Sequence, residues 1–335
     1  MPAALVTGAT GLVGSHLVER LARDGWRVRA LVRDPERARW LAESGSDLVV
    51  GDVLDAERFA AAAVGCDVIF HAAATVTARG FTYEAYRRPN VGGARNAVAA
   101  ARRAGARLLH VSSVAVYGPT ARYDRGPGGT DEEAPLAPLP TAAYYARSKR
   151  EAEALILDAH RRGEVWATAV RPCVIYGRRD RQFVPRVGRV LRLGVAPLPG
   201  SARARLAIVH AANVADGAVR AAGADAAGGR AYNLANDFDL PVADFCRLAG
   251  AGLGRRVRLI RFPTPLARAV LALGKLAVTA VRGRGPGFML DGTVDFLTRD
   301  NPFTSERARR ELGWAPAVRP ADAVPDAFRW WREHH

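Results

Sequence analysis

Tyr145 and Lys149 stand four residues apart in the run Tyr145-Ala146-Arg147-Ser148-Lys149, a spacing that puts both side chains on one face of a helix. An ammonium close to a phenol favours the phenolate and so lowers the phenol pKa. A phenol that exchanges its proton near neutral pH suits the acid/base step between a carbonyl and an alcohol. Ser113, in Val111-Ser112-Ser113-Val114-Ala115, offers a hydroxyl to hydrogen-bond the reacting oxygen. The lysine is informative in itself. Of the 49 basic residues only Lys149 and Lys275 are lysine, and the rest are arginine. Arginine does not give up its proton and donates in a fixed fork, so position 149 requires what lysine alone supplies. A Tyr-x-x-x-Lys pair by itself is usually a surface pair, and only the three residues together point to this chemistry.

A second constellation holds phosphate. Gly8, Gly11 and Gly14 recur in Thr7-Gly8-Ala9-Thr10-Gly11-Leu12-Val13-Gly14, after an apolar run and before a helical one. Glycines so placed allow a tight turn, close approach of the backbone to a pyrophosphate, and close packing of helix on strand. The free N–H groups of the helix start then face the anion. The strand that follows ends Leu31-Val32-Arg33-Asp34. An acidic residue near that point would hold the ribose hydroxyls of NAD, whereas an arginine would take the extra phosphate of NADP. Val32 occupies the acidic position and Arg33 follows it, with Arg37 also in reach, which reads as NADP(H). If Arg33 is only solvated and Asp34 does the binding, the cofactor is NAD(H).

These residues need a parallel sheet to position them. Strands are expected at Ala3–Thr7, Arg27–Val32, Asp47–Val50, Val68–Ala72, Arg107–Ser112 and Val165–Arg171. Helices are expected at Ser15–Arg23, Ala56–Val64, Val91–Arg103 and Tyr145–Arg161. Strand–helix alternation means right-handed crossovers, and near-continuous apolar strands mean burial on both faces. The expected fold is α/β: a Rossmann-type doubly wound parallel sheet over residues 1–176, with a smaller C-terminal substrate-binding domain over 177–335. After Pro172 the rhythm breaks. Arg178–Arg205 is arginine-rich and irregular, and Ala231–Leu234 reads as one more strand returning to the sheet. Pro241–Ala249, Thr264–Arg282 and Ser305–Leu312 read as helices, and a last helix ends at Trp330-Trp331. Gly126–Gly129 with the proline-rich run 135–140 forms a long loop of the kind that serves as a lid, and Gly283–Gly287 a joint.

Composition bounds the rest. The chain has 335 residues, 49% apolar and 24% charged, which excludes disordered and fibrous classes. Three scattered cysteines, Cys66, Cys173 and Cys246, make neither a disulfide framework nor a metal cluster. The N-terminus does not read as a signal peptide, and no window is long and apolar enough for a membrane span. A cytoplasmic setting is expected. The net charge of +16 is carried by arginines spread along an alanine-rich chain, without any nucleic-acid-binding signature, so no nucleic-acid partner is expected.

Gly8-x-x-Gly11-x-x-Gly14, Asp52-Val53, His71-Ala-Ala-Ala74, Asn90-Val-x-Gly, Ser113, Tyr145-x-x-x-Lys149 and Arg171-Pro172 stand in the order seen in the extended short-chain dehydrogenase/reductases. The chain resembles that family, the NAD-dependent epimerase/dehydratase family, over nearly its whole length. Glu306–Pro316 is similar to the family's end. The resemblance implies Tyr145 as acid/base and Ser113 as the group that orients the substrate oxygen. Lys149 would hold the nicotinamide ribose and depress the Tyr145 pKa. It also implies cofactor contacts from Gly8, Thr10, Gly11, Leu12, Val13 and Arg33. Asp52 and Val53 would meet the adenine, Ala72, Ala73 and Ala74 the ribose and phosphate, and Pro172 and Val174 the nicotinamide. Asn90 would support the site from a helix. For His71 and Asn90, structural hydrogen bonding explains the residue as well as any chemistry does. The family also implies a homodimer.

Nucleotide-sugar 4,6-dehydratases carry an acidic pair just after the hydroxyl residue. Here Val114-Ala115 follows Ser113, which disfavours that route. Phe245–Leu290 holds nine basic residues and no acidic one. Within it Leu266–Val281 is apolar but for Arg268 and Lys275, which share a helix face. Such a helix either lies buried or rests in a membrane interface, giving peripheral contact through 263–284. This stretch is similar to the 3β-hydroxysteroid dehydrogenase-like branch, which implies lipophilic alcohols or ketones as substrates. The leading expectation is an NADP(H)-dependent oxidoreductase on a small, lipophilic secondary alcohol or ketone. The alternative is a nucleotide-sugar epimerase with tightly bound NAD, in which the arginines of 178–205 meet a pyrophosphate. A non-catalytic nucleotide-sensing module would have no use for the Tyr–Lys pair.

Overall fold

The structure, a computed structural model, describes residues 1–78, 82–118, 129–235, 238–282 and 292–335, with the backbone alone for 275–282. The joint expected at Gly283–Gly287 and most of the loop expected at Gly126–Gly129 lie outside the described residues. From the N-terminus the chain runs β1 (Ala3–Thr7), α1 (Leu12–Arg23), β2 (Arg27–Val32), α2 (Arg39–Glu43), β3 (Asp47–Val50), α3 (Ala56–Ala63) and β4 (Val68–His71). It continues through α4 (Tyr83–Arg87), a single π turn at Arg88–Gly92, α5 (Gly93–Ala104), β5 (Arg107–Val111), α6 (Tyr144–Arg161) and β6 (Ala167–Pro172). These strands, with β10 (Ala231–Leu234), form a seven-stranded sheet in the order β10-β6-β5-β4-β1-β2-β3. Every pairing in it is parallel.

Successive side chains of a strand point to opposite faces, and each strand here feeds two cores. Val6, Phe70 and Leu109 face a core shared with α1 and with α8 (Ala211–Gly223). Leu5, Ile69 and Leu108 face the other, shared with α3, α5 and α6. Helices cover both faces, so the sheet is doubly wound as expected, and Ala231–Leu234 returns to its edge beside β6.

After β6 the chain builds a third core. β7 (Val174–Tyr176) pairs with β9 (Ile208–His210), and β8 (Val195–Pro199) with β11 (Arg258–Phe262). The helices are α7 (Phe183–Leu191), α9 (Val242–Gly252), α10 (Thr264–Arg282), α11 (Thr293–Thr298), α12 (Glu306–Leu312) and α13 (Pro320–His334). Val184 and Leu191 of α7, Phe245 of α9, and Phe328 and Trp331 of α13 meet at its centre. The stretch 178–205, expected to be irregular, therefore contains a helix and a strand. Its apolar positions lie between outward-facing arginines that dilute the helical pattern, and β8 carries two prolines. Those prolines are tolerated because β8 lies in a two-stranded sheet with an open side. Helix α8 escaped the sequence reading because its buried face is mostly alanine and glycine, which give little periodicity.

Candidate active site

Ser113 lies two residues past the carboxyl end of β5, where open parallel sheets gather their chemistry. It caps a 3₁₀ turn, Val114–Tyr117, and its Oγ accepts a hydrogen bond from the Ala115 amide at 3.2 Å. With that lone pair used, its proton is free to point at Tyr145, and the Ser113 hydroxyl lies close enough to the phenol to favour its ionised form. Tyr145 sits in the first turn of α6, the crossover between the neighbouring strands β5 and β6. It is half-buried. Crowding around the ring pushes its pKa up, while the Ser113 hydroxyl pulls it partly back.

Lys149 is fully buried one turn further along α6. Its Nζ donates to the Val111 carbonyl at 2.7 Å and meets His110 Nε2 at 3.2 Å. Burial pulls its pKa down to about 7, with Glu153 one turn away opposing the drop. The expected depression of the Tyr145 pKa by Lys149 is therefore not what the geometry yields. Lys149 turns its ammonium to the β5 backbone, no charge bears on the phenol, and desolvation dominates. His110 and His71 stack at 5.5 Å behind Lys149. Burial, and then the Lys149 charge, hold both well below the usual imidazole range. They stay neutral, so His110 can accept from Lys149. His71 pairs with Thr7 Oγ1 at 2.9 Å and is structural.

Asn90, in the π turn, is saturated. Its Oδ1 accepts from the Thr75 amide at 2.7 Å, and its Nδ2 donates to the Thr75 carbonyl at 3.1 Å and to Ser148 Oγ at 2.9 Å. It ties the loop after β4 to the start of α6 beside Tyr145. Beneath them runs a network that the sequence reading missed. Arg171 binds the Glu153 carboxylate through Nε and Nη2, the latter at 2.6 Å, and donates to the Tyr117 hydroxyl at 2.8 Å. Tyr117 donates in turn to Asn233 Oδ1 at 2.8 Å. Charge-assisted, bidentate pairing holds Arg171 firmly protonated. Removing one partner of such a buried pair costs about 3–5 kcal/mol. Glu153 stands four residues after Lys149 on the same helix face, the one signal that pointed to it.

The cofactor residues fit a dinucleotide. Gly8 has φ of +67°, and a Cβ there would lie 2.8 Å from the Ala73 backbone. The turn after β1 thus packs against Ala72 and Ala73, which brings two of the expected contact segments together. A Cβ on Gly14 would lie 2.1 Å from the Gly8 carbonyl oxygen. Gly11 caps α1 with no side-chain bond and no acid in the first turn. The N–H groups beginning at Leu12 and Val13 are left for an anion, and Thr10 borders the same turn. Gly14→Ala is expected to displace that turn and weaken NAD(P)H binding about tenfold or more, the loss of one amide–anion hydrogen bond. A fluorescence titration with NADPH checks it.

Arg33 follows β2 with its side chain 81% exposed, and its Nη1 is 4.0 Å from Asp52 Oδ2. Asp34 is spent locally: its Oδ1 accepts from the Glu36 and Arg37 amides, and its Oδ2 pairs with Arg37 at 3.2 Å. Asp52 accepts from the Leu54 amide at 2.9 Å, and the Val53 carbonyl from Asn96 at 2.9 Å, so both are fixed beyond β3. Ala74 lies exposed past β4, Pro172 ends β6 and Val174 begins β7, all at the carboxyl edge of the sheet. A cavity of about 330 Å³ bounded by Thr77, Arg181, Gln182, Pro185, Arg186 and Arg189 runs from the loop after β4 to α7. A larger one, about 510 Å³, lies on the far part of the third core, away from Tyr145. Among the described residues no group of three or more His, Cys, Asp or Glu could hold a metal.

Comparison with known proteins gives the family. The family model of the NAD dependent epimerase/dehydratase family matches residues 4–235. The chain is 34% identical over 327 residues to the 4-hydroxy-2-methyl-3-oxo-4-farnesyl-3,4-dihydroquinoline-1-oxide ketoreductase of Stigmatella aurantiaca, covering 97% of this chain and 95% of that one. It is 32% identical to the ceramide reductase of Caulobacter vibrioides, over 96% and 89% of the two chains. The crystal structure of gox2253 superposes with a TM-score of 0.77 at 29% identity, covering 100% and 99%. With a dinucleotide turn after β1 and a Ser–Tyr–Lys set at the carboxyl edge of a doubly wound sheet, the chain belongs to the NAD-dependent epimerase/dehydratase family and is an NAD(P)-dependent oxidoreductase of the extended short-chain type.

Proposed function

We propose that the protein is an NADP(H)-dependent ketoreductase acting on a lipophilic ketone, with Tyr145 as its proton donor. The observation that carries this reading is the placement of Ser113 and Tyr145 side by side at the mouth of the sheet, with Lys149 buried behind them. Two relatives similar along nearly their full length are named for reducing a farnesylated ring ketone and for a ceramide reduction, which favours a lipophilic substrate.

Gly8, Thr10, Gly11, Leu12 and Val13 would hold a nicotinamide dinucleotide, which when bound would supply the hydride. Ser113 donates to the substrate carbonyl oxygen and polarises it. Tyr145 passes its phenolic proton to that oxygen as negative charge builds there. Its raised pKa keeps the proton in place until the oxygen becomes basic enough to take it. Lys149, poised near neutrality, would hold the cofactor ribose. The segment after β6 would bind the substrate, with Pro172 and Val174 lining the nicotinamide end.

Arg33 decides the cofactor. Its exposed guanidinium faces no strong partner, whereas Asp34 is occupied by its own turn. Arg33→Ala is expected to weaken NADPH about ten- to a hundredfold, the worth of one arginine–phosphate pair, and to leave NADH within a factor of two. Equal losses for both cofactors would remove Arg33 from this role.

A second reading is a nucleotide-sugar epimerase, favoured by Arg181, Arg186 and Arg189. They line the cavity beside Thr77 and form no ion pair with a described residue. Mass spectrometry of the co-purified nucleotide separates the two. Little retained cofactor, with NADPH preferred on titration, supports the reductase. Stoichiometric, tightly held NAD supports the epimerase.

A further inference from the structure

Helix α10 carries its apolar stripe on the outside. Leu266, Val270 and Leu273, at positions i, i+4 and i+7, share one face and are 52–66% exposed. Ala267, on another face, is buried, and Arg268 reaches Asp295 of α11 at 3.3 Å. The helix is thus anchored through its small and polar residues and leaves its large apolar ones in solvent. The adjoining elements add to this: Ile260 of β11 and Leu193, just after α7, are also exposed, Leu193 by 76%.

The surroundings are cationic. Across Phe245–Gly274 there are six basic residues and no acidic one, and of these Arg247 and Arg268 pair with Asp244 and Asp295 outside the stretch. Arg247, Arg255 and Arg256 line the 510 Å³ groove together with Val257, immediately before β11. Arg255, Arg256, Arg258 and Arg261 form no ion pair with a described residue, in a chain whose arginines elsewhere are mostly paired. A second copy docked through this face would bring like charges together. An apolar stripe preceded along the chain by four arginines without an ion pair among the described residues is complementary to an anionic lipid surface, where chains of acyl carbon lie beneath a negative headgroup layer. No described helix is long and apolar enough to cross a membrane.

We infer that α10 and the arginine-lined groove beside β11 form a docking surface for an anionic bilayer, with α10 lying in the interface plane. The surface adjoins the substrate side of the fold. α10 packs on α11, and Phe296 of α11 meets Phe183 at the head of α7, 6.3 Å between ring centroids. That is the helix whose first two turns bound the cavity with Thr77. A substrate dissolved in lipid would have a short path to the site. The inference stands whether or not the ketoreductase reading holds, because docking needs no substrate.

The test is flotation of the full chain with vesicles of pure phosphatidylglycerol and of pure phosphatidylcholine, with no substrate present. The protein is expected to float with phosphatidylglycerol at low salt, to be released as salt rises, and to ignore phosphatidylcholine. Leu266→Ser with Leu273→Ser is expected to weaken binding about tenfold or more. Arg255→Glu with Arg256→Glu is expected to abolish the preference for phosphatidylglycerol. All these residues are exposed, and unchanged NADPH binding confirms that each variant folds. Failure of the wild type to float with phosphatidylglycerol overturns the inference. So does undiminished flotation of the Leu266→Ser, Leu273→Ser variant. Sedimentation velocity covers the remaining occupant: self-association lost in that same variant, without vesicle binding, would assign the face to a second copy.

Discussion

Tyr145→Phe is expected to lower turnover about a thousandfold while leaving NAD(P)H affinity within a factor of two. The substitution removes one oxygen and keeps the ring. Ser113, Lys149 and the glycine turn are untouched, because Tyr145 holds neither Lys149 nor the cradle: Lys149 is fixed by Val111 and His110, and the turn by Ala73. What is lost, on the proposed mechanism, is the group that gives its proton to the developing alkoxide. Positioned general acids are worth 10²–10⁴ in rate, about 3–5 kcal/mol of barrier. Steady-state kinetics with a reducible ketone, beside a binding titration, make the measurement. A variant that retains more than about a tenth of the turnover would show that another group protonates the product. The pH profile gives an independent check. The Tyr145 phenol is raised, so it stays protonated through neutrality, and the reductive rate is expected to fall only at alkaline pH, as the proton donor ionises. Oxidation of the alcohol, which needs the phenolate, should rise over the same range.

Lys149→Met is expected to abolish activity and yet raise thermal stability. The lysine pKa is pulled from 10.5 to about 7 by burial. The unfolded chain therefore binds more protons than the folded one between those values, and stability rises with pH across that window. Above pH 10.5 the lysine is neutral in both states and carries no penalty. Below about pH 7 it is charged in both, and the folded state carries the full desolvation cost. A shift of that size corresponds to about 4–5 kcal/mol. The hydrogen bonds to Val111 and His110 vanish with the ammonium and offset part of the gain. A net rise in melting temperature of about 2–8 °C at pH 7 is expected in the absence of cofactor. At pH 10.5 the variant should hold no such advantage. Differential scanning fluorimetry at the two pH values decides it, and a melting temperature that falls at pH 7 would mean that Lys149 is a net structural support. Stability given up at a buried charge is a common cost of a working site.

The parallel sheet and the Ser–Tyr–Lys set were legible because each is written locally. Apolar runs such as Val68–His71 match a strand buried on both faces, and Tyr145 and Lys149 keep helical spacing. Even so, α1 begins at Leu12 instead of Ser15. Gly11 and Gly14 look like loop residues, but the close pass of Gly14 under the Gly8 carbonyl puts them in the helix start. The electrostatics of the site were not legible. That Lys149 would face β5 and leave the phenol to desolvation depends on where His110 and Val111 stand, a fact of packing between β5 and α6. The network of Glu153, Arg171, Tyr117 and Asn233 joins residues from four separate elements, and no spacing rule connects them. The arginine-rich half was the least readable. There the outward arginines of α7 and the alanines of α8 blur the contrast between faces on which a periodic reading depends.

The last strand of the main sheet, β10, pairs with β6 across some sixty residues of the third core, and its Asn233 is bonded to the Thr130 and Thr304 carbonyls. Trp314, later still, is fully buried in the core beside α1 and α8, and donates to the Asn213 carbonyl. The dinucleotide-binding half is therefore sealed by residues synthesised last. On the ribosome, β6 must wait as a bare edge until Leu234 has emerged, and the core between the sheet, α1 and α8 stays incomplete until Trp314 has. At about 5–20 residues per second that is an interval of many seconds during which an unpaired strand and an unlidded core are exposed. Nascent chains halted before residue 231 are expected to recruit chaperones or aggregate, and a fragment ending near residue 176 should not survive as an independent folded unit.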